Sequence, residues 1–346
     1  MSQNEKEMKL EEVAIAEVQK AHTTSVSGFL DKRQSNVLGL GIGVKWSNGQ
    51  PTGEPALIVL VTQKLDKSNV SKADMVPTKL ADMQTDVLEI GYPFAGYDSL
   101  GAGIQTLTKR VRPAGGGYSV GHTKITAGTI ATGVYDILSG GKATPPAHGL
   151  GIAPRYYILS NNHVLANSNA AVIGDPILQP GPADGGVDPA DRIARLSRFI
   201  PIAFAPATPL SQQNNLVDAA IAEGEFHDID REIYWNGYTR GWRKKANVTV
   251  GTVVKKTGRT TSFTTGRITA VGATIDVNYG GGNVARFKDQ ILTTNMSAGG
   301  DSGSLVLTLD NIAIGLLFAG SPSVMIANQI EHVRSLLKVE VAEQIL

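Results

Sequence analysis

The chain of 346 residues contains no cysteine. That absence excludes a disulfide scaffold, thiolate-ligated zinc or iron–sulfur centres, and a thiol nucleophile. An excess of charge is missing too: 32 Lys and Arg stand against 31 Asp and Glu, leaving +1. With no basic block along the chain, neither nucleic acid nor an anionic membrane is an expected partner. No apolar run reaches the length of a membrane span; the longest useful one is Ile312 to Gly320. The N-terminal MSQNEKEMKLEEV is charged and lacks an apolar signal core, so a cytoplasmic protein is expected. The histidines show no HExxH or other ligand spacing, so no metal is expected, and no cofactor is implied.

Glycine is what the chain has in excess, 39 residues against an average near 7%. Together with many Val, Ile and Thr it suggests turn-rich β structure. The first segment is the exception: Leu10, Val13, Ala14, Val18 and Ala21 fall on one helical stripe. From Ser35 the period changes. Val37, Leu38, Leu40, Ile42 and Val44 run into the turn-like SNGQPTGE, and the β run 56–61 follows, which predicts a hairpin. A third strand is expected over 86–90. Residues 1–92 thus read as a small α+β domain (helix, hairpin, third strand), and the Gly- and Pro-bearing 93–117 as a linker with Lys109, Arg110 and Arg112 as a solvated strap.

Beyond Tyr118, short β runs with Gly or Pro punctuation recur near 128–136, 155–160, 170–178, 191–198, 217–222, 248–255, 265–277, 284–293, 304–309 and 312–319. Such spacing suggests a barrel or sandwich rather than a parallel sheet with helices. A closing helix places Ile330, Val333, Leu337 and Val341 on one face. Two motif-like stretches carry no chemistry: LGLGIGVKW lacks the spacing of a phosphate loop, and the Asn-x-Ser/Thr triplets at Asn69, Asn247 and Asn295 read as chance.

Three stretches, far apart, do carry chemistry. ILSNNHVL ends a β run and opens a short helical turn at His163. LVDAAIA brings Asp218 into an apolar strand. SAGGDSGSLV sets Ser302 among glycines just before a strand. A serine hydroxyl is a weak nucleophile until a neutral imidazole takes its proton, and a buried carboxylate must orient that imidazole and stabilise its cation. Each piece alone has a bland reading as a structural histidine, a cap or a tight turn. The order His, Asp, Ser, each in its fitting local context, is what makes the set specific. His122 and His148 lie in Gly- and Pro-rich loops, and Ser304 lacks the Gly-x-Ser-Gly frame.

ILSNNHV, VDAAIA and GGDSGSLV resemble the His, Asp and Ser blocks of the chymotrypsin/trypsin-like serine peptidases over about 118–335. PTGEPALIV, HTKITAGT, SNNHVLANSN, GDPILQPGP and TGRTTSFTTG are similar to bacterial relatives of the plant narrow-leaf trypsin-like proteins, nearly end to end. The resemblance implies a mainly β chain: a trypsin-like double β-barrel over 118–346, ending in the C-terminal helix and preceded by the N-terminal α+β domain. It implies a serine endopeptidase acting on polypeptides, with His163 as base and acid, Asp218 as its orienter, Ser302 as nucleophile, and the N–H groups of Gly300 and Ser302 as oxyanion hole. It places the substrate pocket at Met296, Phe318, Ala319 and Gly320, apolar and without an acidic residue, so cleavage after small or medium apolar residues is expected.

The alternative from another class is an interaction scaffold with a latent or regulated site; an esterase would differ only in substrate. Two further points are left open by the residues. In trypsin-like zymogens the Asp before the serine pairs with a newly cut amine, and here well over a hundred residues precede the barrel, so either Asp301 finds another partner or the oxyanion hole stays unformed until something binds. The apolar faces of 1–92 and of the last helix need a covering surface, either the chain itself or, by slight preference, a second copy in a homo-oligomer.

Overall fold

In the computed structural model, residues 10, 12–32, 36–65, 70, 75–95, 107–137 and 156–341 are described. The expected strand pattern closes into two barrels. In the first, Ser119–His122 pairs with Pro176–Leu178, then follow Arg192–Phe199, Ala220–Gly224, Tyr156–Ser160 and Gly133–Asp136. The ring closes because the stretch before Gly133–Asp136 turns back: Gly128–Thr129 pairs with Ser119–His122. In the second, Val253–Gly258, Leu305–Thr308, Ile312–Gly320, Val324–Gln329, Val284–Thr294 and Ser262–Asn278 follow in order, and the last pairs again with the first. Ile312–Gly320 is buried along its whole length, as its unbroken apolar sequence requires of a strand covered on both faces.

The N-terminal elements have the expected types: a helix Glu12–Gly28, the hairpin Val37–Ser47 with Gln50–Val61, and a strand Met83–Glu89 parallel to the second arm. They are not set apart from the barrels. Val37–Ser47 pairs antiparallel with Ser262–Asn278, Gly39 facing Ile275, so the hairpin extends the second barrel's sheet. Glycine matters at that contact, because a Cβ at Gly39 would collide with the carbonyl of Thr274. One continuous apolar cluster joins Val18, Leu30, Leu40 and Leu57 to Val254, Ile291, Val306 and Leu317 of the barrel. A buried ion cluster adds to it. Arg286 lies 2.7 Å from Asp276 through Nε and also donates to Asp31, just past the helix.

The C-terminal helix, Ile330–Leu337, buries Ile330, Val333 and Leu337 on its own chain; Val339–Glu340 then pairs with Gly133–Asp136 of the first barrel. On the N-terminal stripe, Leu10, Val18 and Ala21 are likewise buried against the chain itself. The stretch expected as a linker ends in structure: Ala114–Gly116 is a buried strand parallel to Ile229–Ile233, where glycines let backbones approach too closely for a side chain. Arg112 is no solvated strap residue either. Its guanidinium donates to the side chain of Gln179 and to the carbonyl of Asp191.

Candidate active site

Strand register carries the first two residues of the site. Ala220 faces Ser160 at the end of an antiparallel pair. Continuing past that end, Asp218 comes alongside the short helix Asn162–Leu165, which holds His163. Asp218 is fully buried. Its Oδ2 lies 2.6 Å from His163 Nδ1, and its Oδ1 accepts the His163 backbone N–H at 3.1 Å. Two contacts to one carboxylate fix both the ring and the turn that bears it. Asn161 and Asn328 hold the carboxylate's own backbone, Asn161 donating to the Asp218 carbonyl at 2.7 Å and Asn328 Oδ1 accepting the Asp218 N–H at 3.0 Å.

Ser302 arrives from the second barrel. Its carbonyl accepts the Thr129 N–H at 2.8 Å, while the Thr129 carbonyl accepts the Ser160 hydroxyl at 2.7 Å, so the serine loop is stitched to the strand end that precedes His163. Gly128 lies between Ser302 and Val164; a Cβ there would crowd both. Gly300 and Gly303, at φ +90° and +98°, give the loop its turns. Asp301 N–H donates to Ala298 and Gly303 N–H to Leu317. Among the described residues, the N–H groups of Gly300 and Ser302 donate to nothing. His163 Nε2 is buried and has no hydrogen-bond partner, so the bond expected from Ser302 Oγ is not formed.

The partner that Asp301 needed is Lys256. Its Nζ lies 3.0 Å from Asp301 Oδ2, and Asp301 also accepts the N–H groups of Ala298, Thr260 and Thr261 and the Thr261 hydroxyl. Burial holds the lysine ammonium below its ordinary range, against the attraction of Asp301. The sequence carries a signal for this residue: Lys256 shares a strand face with the core residue Val254, where an apolar side chain would be the rule.

Tyr279 is the other residue that the sequence did not reveal. Its hydroxyl donates to Asp218 Oδ2 at 2.7 Å, and its ring meets His163 edge-on at 6.0 Å between centroids. Burial and the Asp218 charge push its phenol well above the usual tyrosine range, so it stays a donor. Met296 and Phe318, expected in the substrate pocket, are packed into apolar clusters, Phe318 tilted against Phe287 at 4.6 Å. Ala319 and Gly320 are buried beside them. His122 pairs with Asp175 at 3.0 Å; His148 lies outside the described residues. Among the described residues no group of His, Asp and Glu could hold a metal.

The paired barrels give the chain a trypsin-like fold, and residues 147–316 match the family described as the trypsin-like peptidase domain. More particularly, residues 26–88 match the NARROW LEAF 1 N-terminal domain, so the chain joins the two. It is 43% identical over 82 residues to glutamyl endopeptidase 2 of Streptomyces griseus, which is 24% of this chain and 40% of that protein. It is 38% identical over 94 residues to serine protease 2 of Streptomyces fradiae, 27% of this chain and 51% of that one. The chain thus spans about half or less of these relatives. Among solved structures, a glutamic acid specific serine protease aligns with 21% identity and a TM-score of 0.42, covering 65% of this chain and 98% of that one.

Proposed function

We propose that the protein is a serine endopeptidase in which Ser302 is acylated by its substrate. The observation that carries this reading is the 2.6 Å contact of His163 Nδ1 with buried Asp218, which leaves Nε2 as the ring nitrogen free to take a proton. Ser302 Oγ attacks the substrate carbonyl carbon and passes its proton to Nε2. The carbonyl oxygen, now negative, sits against the N–H groups of Gly300 and Ser302, which have no other acceptor. As the C–N bond breaks, the amine leaves with the proton from His163. Water then repeats the sequence on the acyl-enzyme and restores Ser302.

Polypeptides are the substrate class. The surroundings of Met296, Phe318, Ala319 and Gly320 support cleavage after small or medium apolar residues, since none of these side chains offers charge. A mixed peptide library checks this: dominant cleavage after Lys, Arg, Asp or Glu would place the pocket elsewhere.

One observation favours the rival reading of a latent site. Nε2 and the Ser302 hydroxyl are not hydrogen-bonded, which describes a resting geometry as well as a scaffold. Labelling with a peptidyl phosphonate probe separates the two. The wild-type chain should be labelled at Ser302, and Ser302→Ala and His163→Ala should each abolish labelling. A wild-type chain inert to the probe would favour the scaffold; full labelling of His163→Ala would remove the histidine from the mechanism.

A further inference from the structure

A second concave site lies on the turn that follows strand Ile229–Ile233, formed by residues to which the reaction assigns no part. It is a cavity of about 510 Å³. Strand alternation sends Asp230 and Glu232 to the same face, and both line it. Neither has a cationic partner among the described residues. Arg231, between them, belongs to the opposite face, with its guanidinium over the Tyr135 ring at 5.1 Å.

Aromatic rings form another part of the wall. Tyr118 and Tyr234 meet edge to face at 5.6 Å, and Tyr234 and Trp235 do the same at 5.6 Å. Trp235 is 70% exposed, and its backbone has φ +65°, a conformation that bulky residues rarely adopt. The turn thus holds an indole out toward solvent at a cost in strain. Asn236 lines the same cavity, is 7% exposed, and has a buried Oδ1 that accepts no hydrogen bond, while its Nδ2 is committed to Thr257. The charged side chains that line the cavity are two carboxylates, of which Asp230 gives one oxygen to the Glu232 N–H at 2.9 Å, and they stand with an unbonded amide oxygen beside aromatic faces. That is the chemistry of a cation receptor, not of an apolar or anionic one.

We propose that this cavity binds a cationic side chain, arginine by preference, of an extended polypeptide. A guanidinium is planar, stacks on aromatic faces and bonds carboxylates through two parallel N–H groups, which suits three rings and two carboxylates better than a compact, strongly hydrated ammonium does. The site does not depend on the triad. It would give the protein a preference for basic segments at a place separate from the bond that is cut.

The test uses the full chain carrying Ser302→Ala, so that no peptide is cleaved. Acetylated and amidated Gly-Arg-Gly, Gly-Lys-Gly and Gly-Glu-Gly are titrated in by calorimetry, with indole fluorescence followed in parallel. The arginine peptide should bind saturably, the lysine peptide more weakly, and the glutamate peptide not at all. Asp230→Asn with Glu232→Gln should weaken the arginine peptide roughly tenfold or more. So should Trp235→Asn, a residue that tolerates positive φ and so preserves the turn. Equal binding of the glutamate peptide, no binding of the arginine peptide, or wild-type affinity in both folded variants would overturn the proposal.

Discussion

Lys256 Nζ lies 3.0 Å from Asp301 Oδ2, and both side chains are wholly buried. The residue beside Ser302 is therefore held by an ammonium from a neighbouring strand of the same barrel, with no need for a newly cut chain end. Because burial depresses the Lys256 proton affinity, rising pH discharges it earlier than a surface lysine and leaves Asp301 without its cation. The same depression means that the unfolded chain holds more protons in this window, so this group's own contribution to global stability rises with pH. Alkaline inactivation should then be local. Phosphonate labelling should fall through a limb below the ordinary lysine range while circular dichroism stays unchanged, and Lys256→Arg should carry that limb to higher pH. A limb unmoved by Lys256→Arg would assign it to another group.

Tyr279→Phe removes one hydroxyl and leaves the ring packed between Phe204 and Phe287. A hydrogen bond to a charged acceptor is worth enough that its loss should slow labelling roughly 10–100-fold. The melting temperature should move little. A labelling rate equal to wild type would mean that Asp218 is positioned by His163, Asn161 and Asn328 alone.

Gly300→Ala tests the serine loop. At φ +90° any side chain is strained, and a Cβ there would collide with the Arg259 guanidinium and the Thr260 hydroxyl. Displacing the N–H of residue 300 should cost about 10²–10³ in acylation rate, read as labelling kinetics, with strand content preserved. A variant that labels normally would remove this N–H from the oxyanion site.

Arg286 joins the N-terminal unit to the second barrel. Arg286→Met strips Asp31 and Asp276 of their shared cation and should cost about 3–5 kcal/mol in denaturant unfolding. Asp31→Asn leaves Arg286 paired with Asp276 and should affect only the attachment of the N-terminal helix, seen as faster clipping near residue 30 in limited proteolysis. Clipping at the wild-type rate would show that apolar packing alone holds the helix.

The barrel strands could be read from the sequence because they depend on local pattern, alternation and glycine punctuation, and the three candidate blocks stand out in the same local way: a histidine at a strand end, a carboxylate entering an apolar strand, and a serine set among glycines. What could not be read depends on contacts between distant segments. Tyr279 looks like the end of a strand before a glycine run, and nothing nearby marks its hydroxyl as directed at Asp218, 61 positions earlier. Lys256 left a trace, a charge on a buried strand face, but no hint of which carboxylate it meets. Composition misled at 114–117, where glycines that resemble a linker serve close packing of backbones. It also hid the continuity of the N-terminal hairpin with the barrel, since an edge strand carries no sign of its neighbour.

That continuity bears on how the protein can be cut into parts. The two matched families end and begin at 88 and 147, which invites expression of the peptidase portion alone. Removing the hairpin would strip Ser262–Asn278 of a partner along Gly39–Ile42 and open to water the barrel side of the cluster that Leu40 and Leu57 share with Val254, Ile291, Val306 and Leu317. The product would present a bare, apolar sheet edge, the kind of surface on which strands of other copies assemble. The smallest soluble fragment should therefore begin before Val37, and a fragment beginning near residue 107 should be recovered as aggregate, whatever the state of its triad.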